Sequence, residues 1–120
     1  MMNLLSETLD KMKDLTLFPN DVSWVGSENG EYAMDWDEFA KIADVEYDAG
    51  YGAQEIATDL VVVFKDGCYL KRHEYDGAEW WEDHSSHASP VASSSPKKFS
   101  QVKTSGWASL KDINQEEEKQ

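Results

Sequence analysis

The stretch LVVVFKDGCYLKRHEYDGAEWWED, residues 60–83, decides the fold class. It opens on a β-branched run, Leu60 to Phe64, short enough for one strand and apolar on both parities, as in a strand buried on both faces. Asp66-Gly67 and Asp76-Gly77 then interrupt the chain at a spacing suited to strands. Each Asp-Gly pair supplies the positive φ that tight hairpin turns need. The expectation is a three-strand antiparallel meander made of residues 60–64, 68–74 and 78–83.

Upstream, the pattern changes period. Leu5, Leu9, Met12 and Leu15 recur at helical spacing with Glu7, Asp10, Lys11, Lys13 and Asp14 between them, which predicts a helix over residues 3–16. Pro19 ends it, because proline lacks an amide proton and restricts the residue before it. Residues 22–26 read as a strand, residues 27–30 (Ser-Glu-Asn-Gly) as a turn, and residues 31–34 as the returning strand. Asp35 stands three residues before Glu38 and predicts the start of a second helix over residues 36–45. Residues 46–58 read as a loop. The predicted fold is therefore α+β: an antiparallel sheet of about five strands, in the order α-β-β-α-β-β-β, with two helices. The predicted core contains Leu5, Leu9, Met12, Trp24, Phe39, Ile42, Val61, Val63 and Leu70.

After His84 the chain turns to Ser85, Ser86, Ser89, Pro90, Ser93, Ser94, Ser95 and Pro96, with little to bury. This predicts an acidic α+β domain over residues 1–84, then a Ser/Lys-rich linker and flexible tail over residues 85–120. Lys97, Lys98, Lys103 and Lys111 are expected to draw the tail toward the acidic domain, with Trp107 as its buried anchor.

Charge restricts the function. Residues 1–84 carry six Lys and Arg against twenty Asp and Glu, a formal −14, and residues 85–120 carry five against four, +1, for −13 overall. Such a surface repels a phosphate backbone and attracts a basic one, so direct nucleic-acid binding is not expected. No apolar run approaches the ~18 residues of a membrane span, and the amphipathic acidic start is unlike a signal peptide. A cytosolic location follows as an expectation, in keeping with the single cysteine, Cys68.

Motifs for chemistry are missing. Residues 48–52 (Asp-Ala-Gly-Tyr-Gly) lack the lysine and the strand-to-helix setting of a phosphate-binding loop. Cys68 follows a hairpin glycine and has no evident histidine partner. His73, His84 and His87 lack the paired short spacing of zinc ligands. Neither metal nor cofactor is expected, nor an enzyme. Arg72, the only arginine, is expected to pair with a cross-strand acid such as Glu79 or Glu82. Trp80 and Trp81 are strand neighbours and must point to opposite faces, leaving one outside as an interface anchor or covered by the tail.

The stretch from Trp24 to Trp81, above all residues 73–82 (HEYDGAEWWE), resembles small uncharacterised acidic proteins of bacteriophages and integrated mobile elements. The resemblance implies a provenance, with the host bacterial cytosol as location, and no activity; the Ser/Lys-rich tail departs from it. Together with the charge it points to a small protein-binding inhibitor, an anti-CRISPR or nuclease inhibitor, that occupies the basic nucleic-acid-binding surface of a host defence or toxin protein. Glu28, Glu31, Asp35, Asp37, Glu38, Asp44, Glu46 and Asp48 are the candidate phosphate mimics, and Trp80 and Trp81 the candidate anchors. An immunity protein against a toxin nuclease and a phage accessory or structural protein are the alternatives.

Overall fold

The computed structural model describes residues 1–50, 52–104 and 106–118. In chain order the elements are β1 (Met2–Asn3), α1 (Leu4–Asp14), β2 (Val22–Ser27), β3 (Ala33–Met34), α2 (Trp36–Ala43) and β4 (Glu46–Tyr47). They continue with β5 (Leu60–Phe64), β6 (Tyr69–Tyr75), β7 (Ala78–His84) and α3 (Leu110–Glu118). Five strands form an antiparallel sheet in the order β3-β2-β5-β6-β7, and β1 pairs with β4 in a separate two-stranded ribbon. The fold is α+β, and the expected meander runs from its central strand, β5, to one edge, β7. The sequence reading lacked β1, β4 and α3: two-residue strands carry no period, and α3 lies in the stretch read as tail.

Both meander turns follow from their glycines. In the β6–β7 turn Asp76 and Gly77 have φ of 53° and 89°, the doubly positive conformation whose twist matches that of the flanking strands. Between β5 and β6 the chain needs one more residue. Gly67, at φ 92°, donates its N–H to the Phe64 carbonyl at 2.8 Å, while Asp66 accepts from the Cys68 amide at 2.9 Å.

The helices begin at polar caps: Asn3 accepts from the Ser6 amide at 3.0 Å, and Asp35 from the Glu38 amide at 2.9 Å. The buried face of α1 is Leu4, Thr8 and Met12, with Leu5 and Leu15 at its rim and Leu9 38% exposed. This corrects the Leu5-Leu9-Met12-Leu15 stripe. The reason is Thr8, whose hydroxyl donates to the Leu4 carbonyl at 2.7 Å and accepts from the Trp81 indole at 2.8 Å. A polar residue satisfied in this way can be buried, so the apolar stripe is off by about one position.

The main core lies between the sheet and α1 and α2, where Met12, Phe39 and Leu70 sit as expected beside Val25, Val62, Phe64 and Trp81. Ile42 is at its margin. Val61 and Val63 are buried on the opposite face, with Tyr69 and a half-buried Trp24, because alternation along β5 sends them away from Leu60, Val62 and Phe64.

The chain after residue 84, read from the sequence as linker and tail, contributes Phe99, Val102 and Leu110 to the main core. Ser86 lies against Gly67, and the Val91 carbonyl against Gly30. Lys97 continues the sheet edge beside Tyr32, donating to the Glu31 carbonyl at 2.8 Å and accepting from the Ala33 amide at 3.0 Å. Further on, Val102 accepts from the Ala57 amide at 2.8 Å, Thr104 donates to the Glu55 carbonyl at 2.7 Å, and Asp59 accepts from the Leu110 amide at 2.9 Å. Hydropathy underestimates this segment because isolated apolar residues hold it while the backbone supplies the remaining bonds. The expected anchor, Trp107, is instead 61% exposed.

Candidate interaction surface

Strand register settles the two tryptophans. Arg72 is opposite Trp81 and His73 opposite Trp80, so the first pair faces the helices and the second faces outward. Trp81 is 2% exposed, whereas Trp80 is 38% exposed, with its ring 5.1 Å from that of His73.

The inward pair is the centre of a polar network. The Arg72 guanidinium lies between the Tyr47 and Trp81 rings, 5.4 and 4.8 Å from their centroids. It donates to Glu79 at 2.9 Å, to the Tyr47 hydroxyl at 2.9 Å and to Glu7 at 3.2 Å. Tyr47 in turn donates a short hydrogen bond to Glu7. Glu79 also accepts from the Glu55 and Ile56 amides. Burial alone would lower the Arg72 pKa, but Glu7, Tyr47 and Glu79 outweigh it and hold it above its ordinary value. Burial pushes the Tyr47 phenol up, and its bond to Glu7 adds to the effect. Arg72 therefore pairs with Glu79 but not Glu82, whose carboxylate is on the outer face, 3.8 Å from His73 and 3.0 Å from His84.

Three elements divide the eight candidate carboxylates. At the β2–β3 turn, Glu28 pairs with Lys71 at 3.0 Å and Glu31 with Lys97 at 3.6 Å. At the start of α2, Asp35 is occupied as the cap, Glu38 pairs with Lys98 at 2.8 Å, and Asp37 is exposed. Beyond the end of α2, Asp44 and Glu46 both accept from the Asn3 amide group, at 2.8 and 2.9 Å, and Asp48 accepts from the Gly50 amide at 3.2 Å. The last two groups are separated by the length of α2, roughly 12 Å for eight residues. They form an acidic band instead of one focus, and lysines from the tail neutralise part of it.

Sequence reasoning missed a second acidic region. Met2, Glu7, Asp10, Asp14, Trp80 and Trp81 line a cleft of about 380 Å³ between α1 and β7. Lys11, on its wall, is bound to Asp83 at 3.0 Å, which holds that carboxyl below its usual range. The signal was available in Asp10 and Asp14, four residues apart on one helix face, but their position beside β7 needed the tertiary structure. A further cleft of about 300 Å³ is bordered by Leu15, Leu17, Phe64, Cys68 and Tyr69. There, burial and the Asp66 carboxylate push the Cys68 thiol up, away from nucleophilic use at neutral pH.

Among the described residues no cluster of three or more His, Cys, Asp and Glu is arranged to hold a metal ion. No helix among them is long and apolar enough to cross a membrane. Comparison of the chain with protein-family models, curated proteins and solved structures finds no match to any of the three.

Proposed function

We propose that this chain is a small acidic protein-binding inhibitor, of phage or mobile-element origin, that occupies a basic surface which its partner uses for nucleic acid. The partner class is a bacterial defence enzyme, a CRISPR effector or a restriction nuclease. One observation carries the reading. The chain holds 24 acidic against 11 basic residues, its only arginine is buried inside, and Lys11, Lys71, Lys97, Lys98 and Lys103 are already paired with its own acids. Among the described residues no ion pair engages Asp10, Asp14, Asp35, Asp37, Asp44, Glu46 or Asp48, and these carboxylates sit on a sheet-and-helix frame, where they can stand in for phosphates.

The test is capture of the partner from bacterial lysate at low salt, followed by competition with duplex DNA and RNA. Mimicry requires nucleic acid to displace the chain. It also requires affinity to fall steeply toward a few hundred millimolar salt, where the Debye length shrinks to about 5 Å. Changing Asp35, Asp37, Glu38 and Asp44 to the amides should weaken binding without lowering the melting temperature, since asparagine retains the cap at position 35. Binding that nucleic acid does not displace, and that tolerates both salt and the amides, rejects the reading. A toxin nuclease as the captured partner would make the chain an immunity protein.

A further inference from the structure

We propose that the cleft between α1 and β7 seats an arginine side chain of the partner, stacked on Trp80 and bonded to Glu7, Asp10 and Asp14. The inference rests on the reading of the chain as a ligand for a basic protein and names the point of recognition.

The cleft combines the two features that a guanidinium requires. One is aromatic surface: Trp80 borders the cleft and remains 38% exposed even with the His73 ring 5.1 Å away. A planar guanidinium stacks on indole more favourably than a compact ammonium does. The other is carboxylate. The Glu7 side chain is 12% exposed, and its Oε1 takes the bonds from Tyr47 and Arg72. Its Oε2 has no partner among the described residues.

Local charge favours the same occupant. Arg72 is flanked by Glu7 and Glu79, which leaves that group one negative charge in excess, and Lys11 is cancelled by Asp83. Among the described residues no ion pair engages Asp10 or Asp14 at the cleft mouth, so the described surroundings carry three uncompensated charges. Apolar cover comes from Met2 and from the edge of Trp81. A second copy of the chain cannot be the occupant, because its single arginine is 3% exposed and engaged in the same network.

The test is NMR titration of the whole ¹⁵N-labelled chain with three blocked pentapeptides, each a glycine host carrying one central Arg, Lys or Gln. Expected is saturable movement of the Trp80 indole signal and of the Glu7, Asp10 and Asp14 amides with the Arg peptide. Lys should bind severalfold more weakly, and Gln should produce no shift. Trp80→Leu should weaken the Arg peptide about tenfold, and the pair Asp10→Asn with Asp14→Asn should do the same; preserved spectral dispersion verifies that each variant is folded. Shifts confined to the carboxylates around α2, or indifference to both variants, would overturn the cleft while leaving the acidic-surface reading intact. Absence of any shift with the Arg peptide also overturns it, and the broader reading then depends on whether nucleic acid displaces the captured partner.

Discussion

Arg72 shows how one side chain ties distant segments together. Its guanidinium joins α1 through Glu7, β4 through Tyr47 and β7 through Glu79, three elements separated widely in sequence. Replacing it by methionine would leave the buried Glu79 and the largely covered Glu7 without a counter-charge, and a loss of about 3–5 kcal/mol is expected in urea unfolding. Adding Glu7→Gln and Glu79→Gln should recover most of that loss, because the uncompensated charge goes with them. No recovery would mean that the stacked geometry, and not charge balance, is what Arg72 supplies. Asp59 predicts a pH effect. Burial raises its carboxyl pKa in the fold, so the folded state holds that proton more tightly than the unfolded chain does. Its ionisation therefore destabilises the fold as pH rises through the raised value. Asp59→Asn, which can still accept from the Leu110 amide, should raise the melting temperature at pH 7 and lose that advantage in acid below the ordinary aspartate range. A melting temperature lowered at pH 7 but not in acid would show that the charge at the start of α3 outweighs its desolvation.

Among the elements, the hairpins were the most legible. Asp76-Gly77 and Asp66-Gly67 form the expected turns because two adjacent residues encode each of them. Helix α2 was equally plain, since its cap and its apolar spacing are both local. Helix α1 was misread by about one position because Thr8 is buried through a bond to Trp81, 73 residues away. The close approach of β2 to the chain entering β3 was also hidden. A Cβ on Gly26 would fall 1.9 Å from the Tyr32 carbonyl oxygen, whereas one on Gly50 would meet nothing within 4 Å. Gly26→Ala should therefore lower stability by about 3 kcal/mol by forcing β2 from β3. Gly50→Ala should be neutral or slightly stabilising, since it only restricts the unfolded chain. Equal urea midpoints for the two variants would contradict the packing described for β2.

At the scale of the whole molecule, the deciding segment is the one that looked dispensable. Phe99, Val102 and Leu110 are buried in the main core, and each such side chain is worth about 1.5–3 kcal/mol. Together that is about 5–9 kcal/mol, against a typical domain stability of about 5–15 kcal/mol. Deleting residues 85–120 should therefore give a chain that keeps part of its far-ultraviolet circular dichroism but loses its near-ultraviolet tryptophan signal. A truncated chain with native near-ultraviolet bands and cooperative melting would show that residues 1–84 suffice. The same segment also shapes the surface charge, because Lys97, Lys98 and Lys103 pair with Glu31, Glu38 and Glu55 and so cancel part of the acidic band.

The sequence by itself determined the local features: the β-branched centre of the sheet, both Asp-Gly turns, the cap of α2, the opposite facing of Trp80 and Trp81, and the acidic excess. Each depends on residues within a turn or two of one another, or on composition, and so is readable without coordinates. Tertiary structure alone decided which carboxylates are already neutralised, which face of α1 is buried, and that scattered apolar residues after position 84 complete the core. It alone placed Asp10 and Asp14 beside an exposed indole. Those outcomes depend on contacts between segments many residues apart, where burial energy and hydrogen-bond satisfaction are shared among side chains that no local period relates.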